Sequence, residues 1–165
     1  DTFADYGIDT RIKWTNDIYA GDRKIVGMLI ENNCSGPLLA RSIAGIGINV
    51  NQTVFDPSLP NPVSMALLAG RTFDRAEVLG SFLRHCDNRY EQLRAGEREN
   101  LQEEYRRRMY RLGRRHRYRT VDRGEVEAAI EGVRPTGELL LRHADGTLGA
   151  YLFKEAEFVI DRRND

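Results

Sequence analysis

Lys13, Asn16, Asp17 and Lys24 lie close together along the chain, around a turn between two strand-like apolar runs. Lysines neutralise phosphate or carboxylate charge, an asparagine amide reads a base edge, and an aspartate binds magnesium directly or through water. The chain has three lysines against twenty-two arginines, and two of the three fall here. An ammonium is compact and rotatable where a guanidinium is a planar fork, so its use here points to an anion that must be met as a point charge. The four side chains therefore read as a candidate site for an anionic, nucleotide-like ligand. The competing reading is a solvated turn.

The elements that must position them can be taken in order. Thr2 to Tyr6 reads as the end of a helix stopped by Gly7. Arg11 to Trp14 alternates like a half-buried strand, and Thr15-Asn16-Asp17 breaks it. Ala20-Gly21-Asp22-Arg23 reads as a hairpin turn that returns the chain as Lys24 to Glu31. After a connection over residues 32–37, Leu38 to Val50 forms a third strand, which predicts an antiparallel meander. This strand contains Gly45 and Gly47, two residues apart and so on one face. Glycine weakens a strand, so the pair implies close approach by a ligand or by another backbone, the second meaning tight helix packing.

Three prolines mark residues 52–62 as loop, and Ser64 to Ala69 reads as a short helix stopped by Gly70. Asp74 with Glu77 opens a longer helix, carrying Val78, Leu79, Phe82, Leu83, Cys86, Tyr90 and Leu93 at helical spacing and closing near Gly96. Another helix is expected from Glu99 to Leu112, with Leu101, Tyr105, Met109 and Leu112 on one stripe and Gly113 at its end. Beyond it the pattern changes to short strands over 117–122, 126–133, 138–143, 148–153 and 157–160, with glycine-containing turns between. These strands predict a small barrel, SH3-like, with a domain boundary near Gly113.

Composition limits the function classes. With 41% hydrophobic and 30% charged residues the chain is globular, and no apolar run reaches a membrane span. Cys34 and Cys86 are too few for a disulfide framework or a metal site, which points to a reducing cytoplasm. His85, His116 and His143 are too far apart for metal-ligand spacing, and Asp74 with Glu77 is better read as a helix cap than as an acid/base pair. Net charge is zero, yet Tyr105 to Arg119 holds eight arginines and no acid. A solvated face is the plain reading of that run; docking of an acidic protein or a nucleic acid is the sharper one.

The motifs KWTND, DRKIVGMLIE and GIGINVN follow one another in order. This series resembles the catalytic domain of the bacterial biotin–protein ligases, whose pattern reads KWPND, a K-x-x-G strand and G-x-G-I-N. The resemblance continues through LPNPVSM and the two helices to the small terminal barrel. It implies an α+β fold, a mixed or antiparallel sheet with helices over residues 1–113, and an SH3-like domain over 114–165. It also implies a two-step reaction, in which biotin and MgATP give biotinyl-5′-AMP, whose acyl group passes to a lysine of a biotin carboxyl carrier protein. That carrier belongs to acetyl-CoA carboxylase or another biotin-dependent carboxylase.

By the same resemblance Lys24 is the catalytic lysine. Gly27, Gly45, Gly47 and Ile48 lie with Lys24 along biotin, and Lys13, Asn16, Asp17 and Asn49 lie along the adenylate, with Asp17 on the magnesium side. Homodimer pairing through the sheets is implied, as is a cytoplasmic enzyme. Thr15 departs from the family's proline. The family's upstream Gly/Arg-rich loop, GRGxxGRxW, has no counterpart here, and Leu112 to Arg117 imitates it only superficially. Since the chain also opens on Asp1, the expectation is the latter part of a longer protein, nearly inactive alone and without the DNA-binding domain of some relatives. Two rivals remain: a lipoate–protein ligase or octanoyltransferase of related fold, and a non-catalytic, Arg-rich binding module.

Overall fold

The structure is a computed structural model that describes residues 1–36 and 38–160. The chain divides into two compact units, Asp1–Gly96 and Glu97–Asp165. A boundary near Gly113 would leave the helix after Gly96 with the first unit; its contacts group it instead with the strands that follow.

The first unit opens with a 3-10 helix, Thr2–Tyr6, which ends where Gly7 takes φ 71°. Only glycine adopts that left-handed value without strain, so the stop is where the sequence placed it. Four strands follow, β1 (Arg11–Lys13), β2 (Asp17–Ala20), β3 (Arg23–Ser35) and β4 (Leu38–Ile48). They pair in sequence order, and every pairing is antiparallel. The expected connection over 32–37 is mostly strand: β3 runs on to Ser35 and pairs with β4 as far as Leu38. Short helix α1 (Met65–Ala69) is capped by Ser64, whose hydroxyl accepts from the Leu67 amide at 3.2 Å, and stops at Gly70 with φ 67°. Helix α2 (Arg75–Arg94) starts at Asp74, which accepts from the Ala76 amide at 2.7 Å.

The core of this unit gathers Phe3, Ile8, Ala20, Ile25, Val26, Val63, Met65, Phe73 and Val78. Ile25, Val63 and Met65 are fully buried. Helix α2 does not turn its whole apolar stripe inward. Val78 and Ser81 are buried, whereas Leu79, Leu83, Tyr90 and Leu93 are exposed. Its inner face is polar because it meets the 3-10 helix through side-chain bonds: Ser81 and His85 reach Asp5, and Arg89 reaches Asp1 at 2.8 Å. The far halves of β3 and β4 likewise leave Leu29, Ile30, Leu38, Leu39 and Ile43 exposed.

The second unit begins with α3 (Arg98–Arg107), shorter than expected, so Met109 and Leu112 lie beyond the helix. Met109 is still buried, and Leu112 bridges Ile130. Five strands follow, β5 (Arg115–Thr120), β6 (Gly124–Val133), β7 (Leu139–His143), β8 (Leu148–Tyr151) and β9 (Ala156–Phe158). All five match expected strands with ends shifted by a few residues. Their order is β8-β7-β6-β5-β9, so the last strand returns to pair with the first. Alternate residues Leu139, Leu141 and His143 of β7 point inward with Tyr118 and Ile130. The fold class is thus α+β, with antiparallel sheets and few helices.

Candidate functional site

The expected site residues gather on the first meander. Ile18 pairs with Val26, but Tyr19 pairs with Lys24, leaving Ile25 as an extra residue on β3. This is a β-bulge, and bulges re-aim side chains. Strict alternation would put Lys24 and Gly27, three residues apart, on opposite faces. The bulge instead lets the Lys24 ammonium reach Asp17 Oδ1 at 2.7 Å, although Asp17 pairs with Gly27 rather than with Lys24. The Lys24 main chain is fixed from the other side as well: its amide donates to Asn61 O at 2.8 Å, and its carbonyl accepts from Val63 N at 2.9 Å. The lysine side chain remains 41% exposed and the aspartate only 20%, so the open side of the pair is the cationic one.

Asn16 is tied twice to β3. Its carbonyl accepts from Met28 N at 3.0 Å, and its side-chain amide donates to Met28 O. The side-chain carbonyl of Asn16 accepts from the Thr15 hydroxyl at 2.6 Å. The Trp14–Thr15 peptide is cis, at the position where the resembled motif has proline. Lys13 pairs with Asp17 across β1 and β2, with its ammonium 5.3 Å from the centre of the Tyr19 ring. Such a placement is a weak cation–π contact.

The two glycines of β4 lie in the open. Gly45 pairs with Leu29 and Gly47 with Gly27, and both are exposed. A Cβ built on either would meet nothing closer than a main-chain oxygen, at 3.9 Å and 3.8 Å. No helix packs on them, so the packing explanation of this glycine pair has no support among the described residues. Ile48 turns the other way and packs against the core. Asn49 serves the fold: its amide donates to Ile25 O at 3.0 Å, its carbonyl accepts from Met65 N at 3.0 Å, and its side chain donates to Val63 O at 3.1 Å.

Asp17, Lys24, Gly27 and Gly47 are therefore neighbours, with Lys13 and Asn16 on the adjoining turn. Asp17, the residue expected on the magnesium side, stands in no acidic cluster among the described residues. Its carboxylate already faces a cation, and the described residues contain no group of three or more His, Cys, Asp or Glu that could hold a metal ion. Sequence reasoning missed the bulge, because an extra residue shows only in the pairing.

Two other clusters were also invisible. The Ser81 hydroxyl donates to Asp5 Oδ2 at 2.5 Å, and His85 Nε2 lies 3.0 Å from the same oxygen. A serine, a histidine and an aspartate meet, yet the hydroxyl bonds the acid and not the imidazole, so no base activates a nucleophile. These contacts hold the Asp5 carboxyl below its usual range, the serine bond contributing most. In the second unit His143 Nε2 lies 2.8 Å from the Tyr151 hydroxyl, which lies 3.4 Å from Asp122. Burial pushes the Tyr151 phenol up, and the Asp122 charge adds to it.

The arginine run is paired in part. Arg106 and Arg107 bond Glu103 at 2.9 Å and 2.8 Å, Arg108 reaches Glu104 at 3.5 Å, and Arg117 bonds Glu125 at 3.1 Å. Tyr110 and Tyr118 are buried. Rings in the core cannot stack on bases, so Tyr110 and Tyr118 offer the arginines no aromatic platform.

Residues 3–49 match the biotin/lipoate A/B protein ligase family. The chain is 39% identical over 89 residues to the bifunctional ligase/repressor BirA of Bacillus subtilis (strain 168), a match covering 51% of this chain and 27% of that protein. It is 33% identical over 72 residues to the biotin–[acetyl-CoA-carboxylase] ligase of Paracoccus denitrificans, covering 41% of this chain and 30% of the relative. The chain thus spans less than a third of the length of these relatives. Among solved structures, the apo biotin protein ligase of Aquifex aeolicus superposes with a TM-score of 0.75 over 97% of this chain and 70% of that one, at 22% identity. The same protein in complex with biotin and ATP gives a TM-score of 0.75, covering 66% of that chain. In fold over nearly its whole length, and in sequence through the first meander, this chain resembles the biotin protein ligases.

Proposed function

We propose that this chain forms part of a biotin–protein ligase and supplies the lysine that stabilises charge during biotin activation. The observation that carries this reading is the Lys24–Asp17 pair, bent into place by the Ile25 bulge beside the uncovered glycines of β4. In the first step the biotin carboxylate attacks the α-phosphorus of ATP, forming the acyl–phosphate bond and expelling pyrophosphate. In the second, the amine of a carrier-protein lysine attacks the acyl carbon, and AMP leaves while the amine gives up a proton. Both steps build negative charge between carboxyl and phosphate. A cation held there in advance stabilises the transition state more than the ground state.

Lys24 is the cation in the right state: half exposed, fixed through its main chain on one side and through its ammonium on the other. The open strip over Gly45 and Gly47 gives a flat ligand direct access to the strands. Lys13 and Asn16 lie on the nucleotide side, while Asn49 and Ile48 support the floor from within. Magnesium enters this scheme on the ATP phosphates as part of the substrate. The acceptor is a biotin carboxyl carrier domain, and the enzyme works in the cytoplasm. Among the described residues no helix is long and apolar enough to cross a membrane. The terminal five-stranded sheet is read as the SH3-like domain of these ligases.

The test is turnover of the full-length protein. Lys24→Ala should cut biotinyl-adenylate formation by about 10²–10³, the scale on which a fixed charge-stabilising group acts. Near-normal pyrophosphate release in that variant would overturn the assignment. Because the matching family also includes lipoate ligases, octanoate and lipoate belong in the same assay. Turnover of either in preference to biotin would move the substrate to that branch.

A further inference from the structure

We propose that Asp17 is the positioning residue for Lys24, and that Gly27 is the gap through which the ammonium reaches it. This deepens the ligase reading and rests on it for the identity of the anion that Lys24 meets. Three glycines lie on the paired centre of β3 and β4: Gly27, Gly45 and Gly47. None of them has a positive φ, so the backbone itself does not demand glycine at any of the three. Room for a methyl group differs among them. At Gly45 and Gly47 a Cβ fits in ordinary contact. At Gly27 it would stand 3.0 Å from Lys24 Cε, 3.1 Å from Lys24 Nζ and 3.8 Å from Asp17 Oδ1. The space that a side chain at position 27 would fill is therefore taken by the end of the lysine.

That arrangement has a physical use. A free lysine samples many rotamers, and ordering it on ligand binding costs entropy. One carboxylate on its inner side selects a rotamer in advance and uses one of the three N–H donors, which leaves the other two for an arriving anion. Asp17 is well placed for this, being mostly covered and hydrogen-bonded to the ammonium at 2.7 Å. The lysine tip is the movable party, so a methyl at position 27 should displace the ammonium and leave the strand intact.

The reactivity of Lys24 towards an acylating reagent reads this out without any turnover. The intact chain is treated with the N-hydroxysuccinimide ester of acetic acid, and modification is followed by peptide mass spectrometry. Exposed Lys154, in the second unit, serves as internal reference. Relative to Lys154, Lys24 should react about threefold to fivefold faster in both Asp17→Asn and Gly27→Ala, the scale of a partly exposed ion pair. Asp17→Glu should restore most of the protection. Gly27→Ala should keep the wild-type Tm, since alanine suits a strand at least as well as glycine.

Wild-type Lys24 reactivity in Asp17→Asn would overturn the positioning role. Wild-type reactivity in Gly27→Ala would overturn the gap. Failure of the ligase reading would appear instead in the Lys24→Ala turnover test and would leave the acylation pattern intact.

Discussion

In the first unit the asparagines hand their side chains to the main chain: Asn16 to Met28, Asn49 to Val63, Asn51 to both polar groups of Phe73, and Asn61 to Asp22. In the second unit the interior instead leaves polar atoms stranded. Among the described residues the Tyr118 hydroxyl and His143 Nδ1 are buried without a hydrogen-bond partner, while Arg106 and Arg117 pair with glutamates outside. The first unit thus spends amides on holding loops and keeps apolar strands and glycines open. The second closes an apolar core and tolerates a few unsatisfied groups. In the first unit long-range polar bonds thus tie loop residues to an apolar core that includes Val63 and Phe73 themselves.

The comparison can be broken first at the cores. Leu141→Ala and Ile25→Ala each truncate a fully buried aliphatic side chain and should each cost about 2–5 kcal/mol in urea unfolding. A loss under 1 kcal/mol for Ile25 would mean that the first core is soft enough to collapse around the cavity. Next in size is Asn51→Ala, which strands the amide and carbonyl of Phe73 and should cost about 1–3 kcal/mol. Tyr118→Phe sharpens the contrast from the other side. It removes a hydroxyl that has no partner among the described residues, so stability should stay within about 1 kcal/mol of wild type or rise.

The smallest effects concern acid. The folded-state pKa of Asp5 lies below 3.8, so its stabilisation is present above that value and is lost as pH falls through the lowered one. Ser81→Ala, which removes the largest cause, should flatten the fall in Tm between about pH 5 and pH 3. Glu103 is held down to about 2 by Arg106 and Arg107, so its contribution to the second unit should be full above about pH 4.5 and fall away progressively between there and about pH 2.

Much of this was legible in local sequence. Gly7 and Gly70 stop their helices where predicted because a left-handed residue is a local demand. Strand positions were readable from alternation, and Lys24, Asp17 and the β4 glycines from their types and order. What escaped depends on distant partners. The bulge at Ile25 exists only in the β2–β3 pairing. The polar inner face of α2 makes sense only once Asp1 and Asp5 lie against it, from the other end of the unit. The bond from the Asn49 side chain to Val63, a partner fourteen residues on, was not readable either. The acids that pair with part of the arginine run, Glu103, Glu104 and Glu125, lie outside it in sequence.

The pairing of β9 with β5 bears on how the protein is made. Every pairing in the first sheet joins strands adjacent in sequence, so that meander can form as it leaves the ribosome. The second sheet cannot: β5 waits with one edge bare until Ala156–Phe158, some forty residues further along the chain, arrive to cover it. Loops that long close slowly, and a bare edge is an invitation to wrong partners. A stalled or clipped product ending before Ala156 would therefore carry a finished first sheet and an unfinished second one, and quality control would meet it at the β5 edge.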